Sequence, residues 1–253
     1  MKQPARLASI LQPSVEPAIE TGPNLRAGLL DRLPEGEAEQ LLAAARRIHL
    51  APRQVLCHGD LPMEHVYFIE SGLVSVMAKA DKNRWVEAWM VGSGRLVGLP
   101  PLLAGGHSAN RQVVQIGGAA LCMPSREFQR LLHGSRHLRA ITLEHLAYLL
   151  LQASQIAACN AQHSAIERVA RWLLLAWREL REKRISVSHD ALARALGLRR
   201  ATVSDSLKQL ETWGAIKTDR RLIEITDANI MHARSCDCYR IITRGRARQA
   251  PMA

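Results

Sequence analysis

The sequence predicts an α+β chain built in three parts: an N-terminal β-roll of jelly-roll type, a long helix, and a C-terminal winged helix-turn-helix. Three observations carry this. Residues 53 to 124 form short β-rich runs broken by turn signals. Residues 136 to 160 keep a helical spacing of apolar side chains without interruption. Residues 186 to 216, SVSHDALARALGLRRATVSDSLKQLETWGAI, describe two short helices around a glycine, followed by a hairpin.

The elements follow in order. Residues 1 to 23 are rich in Pro and small side chains and are expected to form a mostly disordered leader with at most one short helix. Residues 25 to 48 are expected to be helical, through Leu29, Leu30 and Leu33, then Leu41, Leu42, Ala45 and Ile48 after a break at Pro34-Glu35-Gly36. From Arg53 the period changes. The runs VLCHGD, HVYFIESGLVSVMAK, RWVEAWMVGSGRLVGLP and RQVVQIGGAALCMP are separated by turns at His58-Gly59-Asp60, Ser71-Gly72, Asp81-Lys82-Asn83 and Gly92-Ser93-Gly94. Such spacing suggests a sandwich or jelly roll. The first unit thus spans residues 24 to 135 and closes with a short helix, REFQRLLHG.

The long helix covers residues 136 to 160. Leu138, Ile141, His145, Leu149, Gln152, Ile156 and Cys159 recur at steps of three and four. This stripe reads as a coiled-coil-like dimer seam, with Leu138, Ile141, His145, Leu149, Gln152 and Ile156 at the contact. It equally fits the core face of a helix packed on the β-roll. Residues 162 to 164 form a hinge. Ser164 and Glu167 then make a capping box for a helix over residues 165 to 181, which turns Ile166, Val169, Ala170, Leu173, Leu174 and Trp177 inward.

The second unit spans residues 161 to 240. Ser188 caps a helix carrying Leu192 and Leu196, and Gly197 sits where a sharp turn requires a positive φ. The following helix turns Val203, Leu207 and Leu210 to the core. Its other face offers Arg199, Arg200, Ala201, Thr202, Ser204, Asp205 and Lys208. A helix of this kind fits the DNA major groove, with its first residues at base edges and its cations near phosphates. The hairpin GAIKTDRRLIEITD completes a winged helix, with Lys217, Arg220 and Arg221 placed for backbone contacts. A basic tail, residues 241 to 253, follows. Its Arg244, Arg246 and Arg248 either touch DNA backbone or belong to a frayed, solvated end.

Charge supports a polyanionic partner. The chain of 253 residues has a formal net charge of +11. Residues 161 to 253 hold 18 Lys and Arg against 10 Asp and Glu, whereas residues 1 to 160 hold 16 against 13. The excess therefore lies in the half with the helix-turn-helix, where each cation near a phosphate releases counterions. Five irregularly spaced cysteines exclude a disulfide framework and fit a reducing cytoplasm. No membrane span or signal peptide is expected.

The order β-roll, long helix, hinge, helix, helix-turn-helix and wing resembles the Crp/Fnr family of bacterial transcription regulators over about residues 25 to 230. The motifs that carry it are HVYFIESGLVSV in the roll, AIERVARWLL after the hinge, and HDALARALGLRRATVSDSLKQLE with its wing. The resemblance implies a cyclic-nucleotide-binding-like roll that senses a signal, and a cytoplasmic homodimer on pseudo-palindromic promoter DNA. It also implies RNA polymerase as a partner if the protein activates. In the recognition helix Arg200, Thr202 and Val203 match the family pattern. Arg200 resembles the bidentate guanine reader, and Thr202 a phosphate contact. Ala201 and Asp205 depart from it, standing where Glu and Arg are frequent. Asp205 is expected either to accept from a cytosine amine or exclude wrong bases, or else to face solvent or pair with a nearby Arg.

The family's known signals are not expected here. Leu99, Pro100 and Pro101 occupy the stretch where cyclic-nucleotide binders carry Gly-Glu, and Arg111 is not followed by Ser-Ala. Dependence on cAMP is therefore not expected, and the effector is unassigned. No cysteine precedes Cys57, so an iron-sulfur cluster on N-terminal cysteines is not expected either. Cys57 and Cys122 can approach each other across the roll as ordinary buried thiols. Cys236-Asp237-Cys238 is a lone C-x-C without the second pair of ligands a structural zinc needs. Haem on His58, His65 or His107 is not expected. No metal site and no cofactor is assigned. Without a triad spacing, P-loop or dinucleotide fingerprint, the chain is not expected to be an enzyme. The competing reading is a ligand-binding signalling module whose winged helix serves protein contact.

Overall fold

The computed structural model describes residues 28–82, 84–99 and 107–247. The expected leader over residues 1 to 23 and the end of the basic tail, including Arg248, lie outside them.

The N-terminal unit begins with one 3-10 turn, Leu30–Arg32, and helix α1, Glu35–Ala44. Strands β1 (Arg46–Leu50), β2 (Val55–Cys57), β3 (His65–Lys79), β4 (Trp85–Val91), β5 (Arg95–Val97) and β6 (Arg111–Pro124) follow. The helical expectation over residues 25 to 48 is corrected at its end. Ala45 leaves the helix in an extended conformation, and Ile48 pairs with Ala120 of β6. Its spacing matched a helix, but backbone pairing with the long strand β6 decided its conformation. Among the described residues one sheet runs β1-β6-β3-β4, with β2 on β6 and β5 on β3.

The long β3 and β6 cross the whole roll in antiparallel register, from His65 opposite Pro124 to Met77 opposite Arg111. The register slips between Ile69 and Val74. Gly72 sits in this irregularity at φ +89, where a Cβ would meet the carbonyl oxygen of Ile116 at 2.6 Å, so no larger residue fits.

Helix α2, Ser125–Gly134, closes the roll, and α3, Arg136–Gln162, runs back along it. Ser135 caps α3 by accepting from the Leu138 amide at 2.8 Å. The stripe expected to be a dimer seam proves to be the helix's inner face. Leu138, Ile141, His145, Leu149, Gln152 and Ile156 are all buried within the chain. His145 Nε2 contacts the Leu96 carbonyl at 2.9 Å, and Gln152 Oε1 accepts from the Met90 amide at 2.7 Å. The polar members of the stripe thus satisfy backbone groups of the roll within the same chain. The face left to solvent carries Ala140, Leu143, Ala147, Leu150 and Ser154, again at steps of three and four. Leu143 is 54% exposed and Leu150 70%.

The C-terminal unit consists of α4 (Ala165–Leu180), β7 (Arg184–Ser186), α5 (His189–Leu196), α6 (Arg200–Thr212), β8 (Ile216–Asp219), β9 (Leu222–Ile225), α7 (Ala228–Arg234) and α8 (Cys238–Ala247). The capping box of Ser164 and Glu167 is present. The wing is a three-stranded sheet, β7-β9-β8; the outer strand β7 was not anticipated. The basic tail expected from residue 241, either touching DNA backbone or frayed, begins inside a helix. Residues 238 to 247 are helical, with Ile242 and Thr243 buried, and Gly245 lies so close to Leu151 of α3 that a Cβ would stand 2.1 Å from it.

One apolar core runs without a break from the roll (Val74, Val91) through Trp172 and Leu173 of α4 to Leu192, Val203 and Leu207. A second lies at the other end of the roll, around Leu41, Phe68, Leu96, Phe128 and Ile141. Among the described residues no helix is long and apolar enough to cross a membrane.

Candidate nucleic-acid interface

Helix α5 is short because its sequence stops it at both ends. Ser188 accepts from the Ala191 amide at 3.2 Å. At the other end Gly197 adopts φ +63, and its amide meets the Arg194 carbonyl. Arg168 of α4 donates through Nη2 to the Leu196 carbonyl, satisfying a further helix end. The chain then enters α6 through Arg199, whose extended backbone (φ −73, ψ 144) makes it the N-cap.

Helix α6 is two-sided. Val203, Ser206, Leu207 and Leu210 are buried, while Arg199, Arg200, Ala201, Asp205 and Lys208 are exposed, with Thr202 and Ser204 between. All seven residues expected to face DNA thus stand on the open or flanking side of one helix. Two partners were not anticipated from sequence. Arg200 Nε lies 3.4 Å from Asp190 Oδ1, and Ser204 Oγ lies 2.8 Å from His189 Nδ1. Both come from the first turn of α5. Asp205 is exposed, in keeping with either of its expected roles.

The wing is held against this helix. Glu211 Oε1 accepts from the Thr218 amide at 2.8 Å and from its hydroxyl at 3.0 Å, which ties β8 to the last turn of α6. Lys217, Arg220 and Arg221 are all exposed. Arg221 takes φ +62 in the two-residue turn, an unusual conformation for a side chain of its kind. The surface therefore offers one helix N-terminus with two arginines and one basic turn fixed to the same helix. A helix N-terminus and its cations both favour phosphate.

This interface is also fixed relative to the roll. A Cβ on Gly197 would stand 3.1 Å from Val86 Cγ2 of β4, and the Ser93 amide donates to the Glu179 carbonyl at 3.1 Å. Trp172 Nε1 donates to Glu87 Oε1 at 2.9 Å.

Two further places hold chemistry. The first is a cavity of about 200 Å³ in the roll, with Val76, Trp89, Val97 and Leu149 among its apolar lining and His107, Ser108, Asn110 and Gln112 as polar groups. Arg95 lies nearby but is buried, its guanidinium 4.6 Å from the Tyr148 ring centre and its Nη1 3.4 Å from His145 Nδ1. Arg95 therefore supports α3 from within the core.

The second lies at the hinge. Cys159, His163, Cys236 and Cys238 bring their ligand atoms within 4.8 Å of one another. The reading of Cys236-Asp237-Cys238 as lacking partners is corrected here. The missing two come from the end of α3, more than seventy residues earlier. Cys159 and His163 at i, i+4 were the available signal. Within this group the Cys236 side chain, and further the Arg171 cation, lower the Cys159 thiol below its ordinary value against the opposing effect of burial. Cys57 and Cys122 are buried in the roll and free, and burial raises both.

Comparison with known proteins agrees with this architecture. Residues 47–135 match a cyclic nucleotide-binding domain and residues 167–233 a Crp-like helix-turn-helix domain. Together these matches span more than half of the chain. No curated protein matches. Among solved structures, FixK2 from Bradyrhizobium japonicum is similar with a TM-score of 0.67 at 21% identity, over 76% of this chain and 98% of that one. The c-di-GMP responsive global regulator CLP of Xanthomonas campestris follows at 0.63 and 22%, over 77% and 100%. A regulator of the crp/fnr family from Eubacterium rectale gives 0.63 at 15%, over 81% and 96%. With a cyclic nucleotide-binding domain and a Crp-like helix-turn-helix joined by one long helix, the chain belongs to the Crp/Fnr family of DNA-binding transcription regulators.

Proposed function

We propose that the protein is a cytoplasmic regulator that binds a pseudo-palindromic promoter site as a homodimer. The single observation that carries this is the exposed N-terminus of α6, with Arg199 and Arg200 at its start and Lys217, Arg220 and Arg221 on the attached wing. Arg199 and Arg200 lie where a helix entering the major groove meets base edges and phosphates. Arg200 reads guanine through its two-pronged guanidinium, Thr202 contacts phosphate, and Asp205 adjusts base choice about one and a half turns along. Arg200 must first leave Asp190. That exchange is cheap, because both partners are more than half exposed.

The second copy docks on the solvent face of α3, through Leu143, Ala147 and Leu150. Two exposed leucines on one helical stripe are costly to leave in water, and two half-sites need two recognition helices. The roll works without cAMP. Leu99 replaces the ribose acceptor and is itself fully buried, and the pocket that remains is largely apolar. No cluster on N-terminal cysteines takes part. RNA polymerase is a further partner if the regulator activates.

Mapping of the DNA bound in cells tests the proposal. An enriched inverted repeat with guanine in each half-site, one helical turn between centres, is expected. Recovery of no common motif would contradict it.

A further inference from the structure

Helix α3 ends at Gln162 and α4 begins at Ala165, so the chain turns from the long helix into the DNA-binding unit across only His163 and Ser164. Four side chains converge on this turn. Cys159 lies in the last turn of α3, and His163 is its C-cap. Cys236 lies in the link before α8, and Cys238 is the first residue of α8. The three cysteines are buried and pack on one another, apart from both apolar cores.

Two of the distances match one small ion, and all four ligand atoms lie within 4.8 Å of one another. Cys159 Sγ is 3.5 Å from Cys236 Sγ, and Cys238 Sγ is 3.5 Å from His163 Nδ1. A tetrahedron with zinc–sulfur bonds of about 2.3 Å and a zinc–nitrogen bond of about 2.0 Å has edges of about 3.5 to 3.8 Å. A cubane iron-sulfur cluster binds each ligand to a different iron and spreads them wider than one ion does. Four ligands from protein leave no open position, the arrangement of a structural site.

An independent observation concerns charge. Arg171 of α4 is 1% exposed, and its Nε and Nη1 have no hydrogen-bond partner. It acts on Cys159 and on Glu87. Glu87 is a poor counterion, since burial favours its neutral form. A buried cation needs an opposite charge. Three thiolates around a divalent ion leave one net negative charge, which Arg171 balances. Gln155 Nε2 also lies 3.2 Å from Cys238 Sγ, placed to donate to a thiolate.

The geometry points to a tetrahedral zinc(II) site formed by Cys159, His163, Cys236 and Cys238, which clamps α8 to the end of the long helix at the hinge. On binding, the three thiols release three protons to solvent and each sulfur donates its lone pair to the ion, as does neutral His163 through Nδ1. No electron is transferred. The clamp fixes the turn between the long helix and the recognition helix, and it stands independently of which DNA is bound.

Metal analysis and cobalt(II) exchange on the full chain test this without DNA. One zinc per chain is expected, and a cobalt complex with tetrahedral d–d bands and thiolate charge-transfer absorption. Both should be lost in Cys236→Ser and strongly weakened in His163→Ala. His163 is only half-buried, so its variant should keep the far-ultraviolet spectrum of the parent. Cys57→Ser and Cys122→Ser should leave metal content unchanged. Metal-free native protein, a Cys159–Cys236 disulfide, bound iron with sulfide, or equal metal in the folded His163→Ala variant would each overturn the assignment.

Discussion

The indole nitrogen of Trp172 donates to Glu87 across 2.9 Å, joining α4 of the DNA-binding unit to β4 of the roll in a place that water does not reach. Ser75 donates to the other carboxyl oxygen. Desolvation raises the Glu87 carboxyl above its ordinary 4.5, against the hydrogen bonds of Ser75 and Trp172 and the charge of Arg171. The folded state therefore holds this proton more tightly than the unfolded chain. The stability it contributes is complete below pH 4.5 and is lost as pH rises through the raised folded value. Glu87→Gln carries no charge and keeps one oxygen to accept from Trp172, while its amide nitrogen donates to the Ser75 hydroxyl, reversing that bond. It should melt higher than the parent at pH 7, with the difference shrinking toward pH 4.5. Thermal unfolding across that range checks this; a variant less stable at pH 7 than at pH 5, relative to the parent, contradicts it.

Asp190 restrains Arg200 at 3.4 Å on the exposed surface. Asp190→Asn frees the guanidinium and removes a negative charge from a surface that must meet phosphate. DNA affinity should rise, by about fivefold at most, because an exposed pair is worth roughly 0.2 to 1 kcal/mol. Fluorescence anisotropy with a fixed duplex measures it. A fall in affinity would show that Asp190 aids binding, for instance by orienting Arg200.

Asp205 stands exposed on the helix face that carries Arg200 and Lys208. Selection of binding sites from random duplexes should return different preferences for the parent and for Asp205→Arg at one position of each half-site. A well-placed pair contributes about 1 to 3 kcal/mol of discrimination. Identical selected sites would leave Asp205 without a role in recognition.

The two faces of α3 should respond differently to substitution. Leu143→Glu with Leu150→Glu should give a folded monomer whose affinity for an inverted repeat falls by about 100-fold or more, as the second contact is lost. Leu149→Ala, on the inner face, should cost about 2 to 5 kcal/mol of stability. Sedimentation and denaturant unfolding separate the two. A double Glu variant that remains dimeric would place the seam elsewhere.

Much of this fold was legible because local rules agreed with global packing. Ser188, Gly197 and the triplet Val203, Leu207 and Leu210 each specify the same helix pair. The long helix was legible as an element but not in its orientation. It carries apolar side chains on two faces, and periodicity cannot tell a helix's own core from a partner's surface. The deciding groups are polar: His145 and Gln152 satisfy backbone groups of Leu96 and Met90, contacts that no spacing announces. Ile48 shows the same limit, since its strand pairing depends on Ala120, 72 residues away. The hinge cluster escaped for that reason as well. Its two halves are short pairs, Cys159 with His163 and Cys236 with Cys238, and each becomes meaningful only when α8 folds back on α3.

The central claim is that the arginine-led end of α6, with its wing, meets the phosphates and bases of duplex DNA. Its most direct test is the dependence of affinity on salt for a duplex carrying the selected site. The parent should lose affinity steeply, with a slope of about −0.9 per phosphate contact. Arg199→Ala with Arg200→Ala should flatten that slope and lower affinity for the selected site more than for random sequence. Equal affinity and equal slope in parent and variant, or no binding by the parent at low ionic strength, would contradict the account.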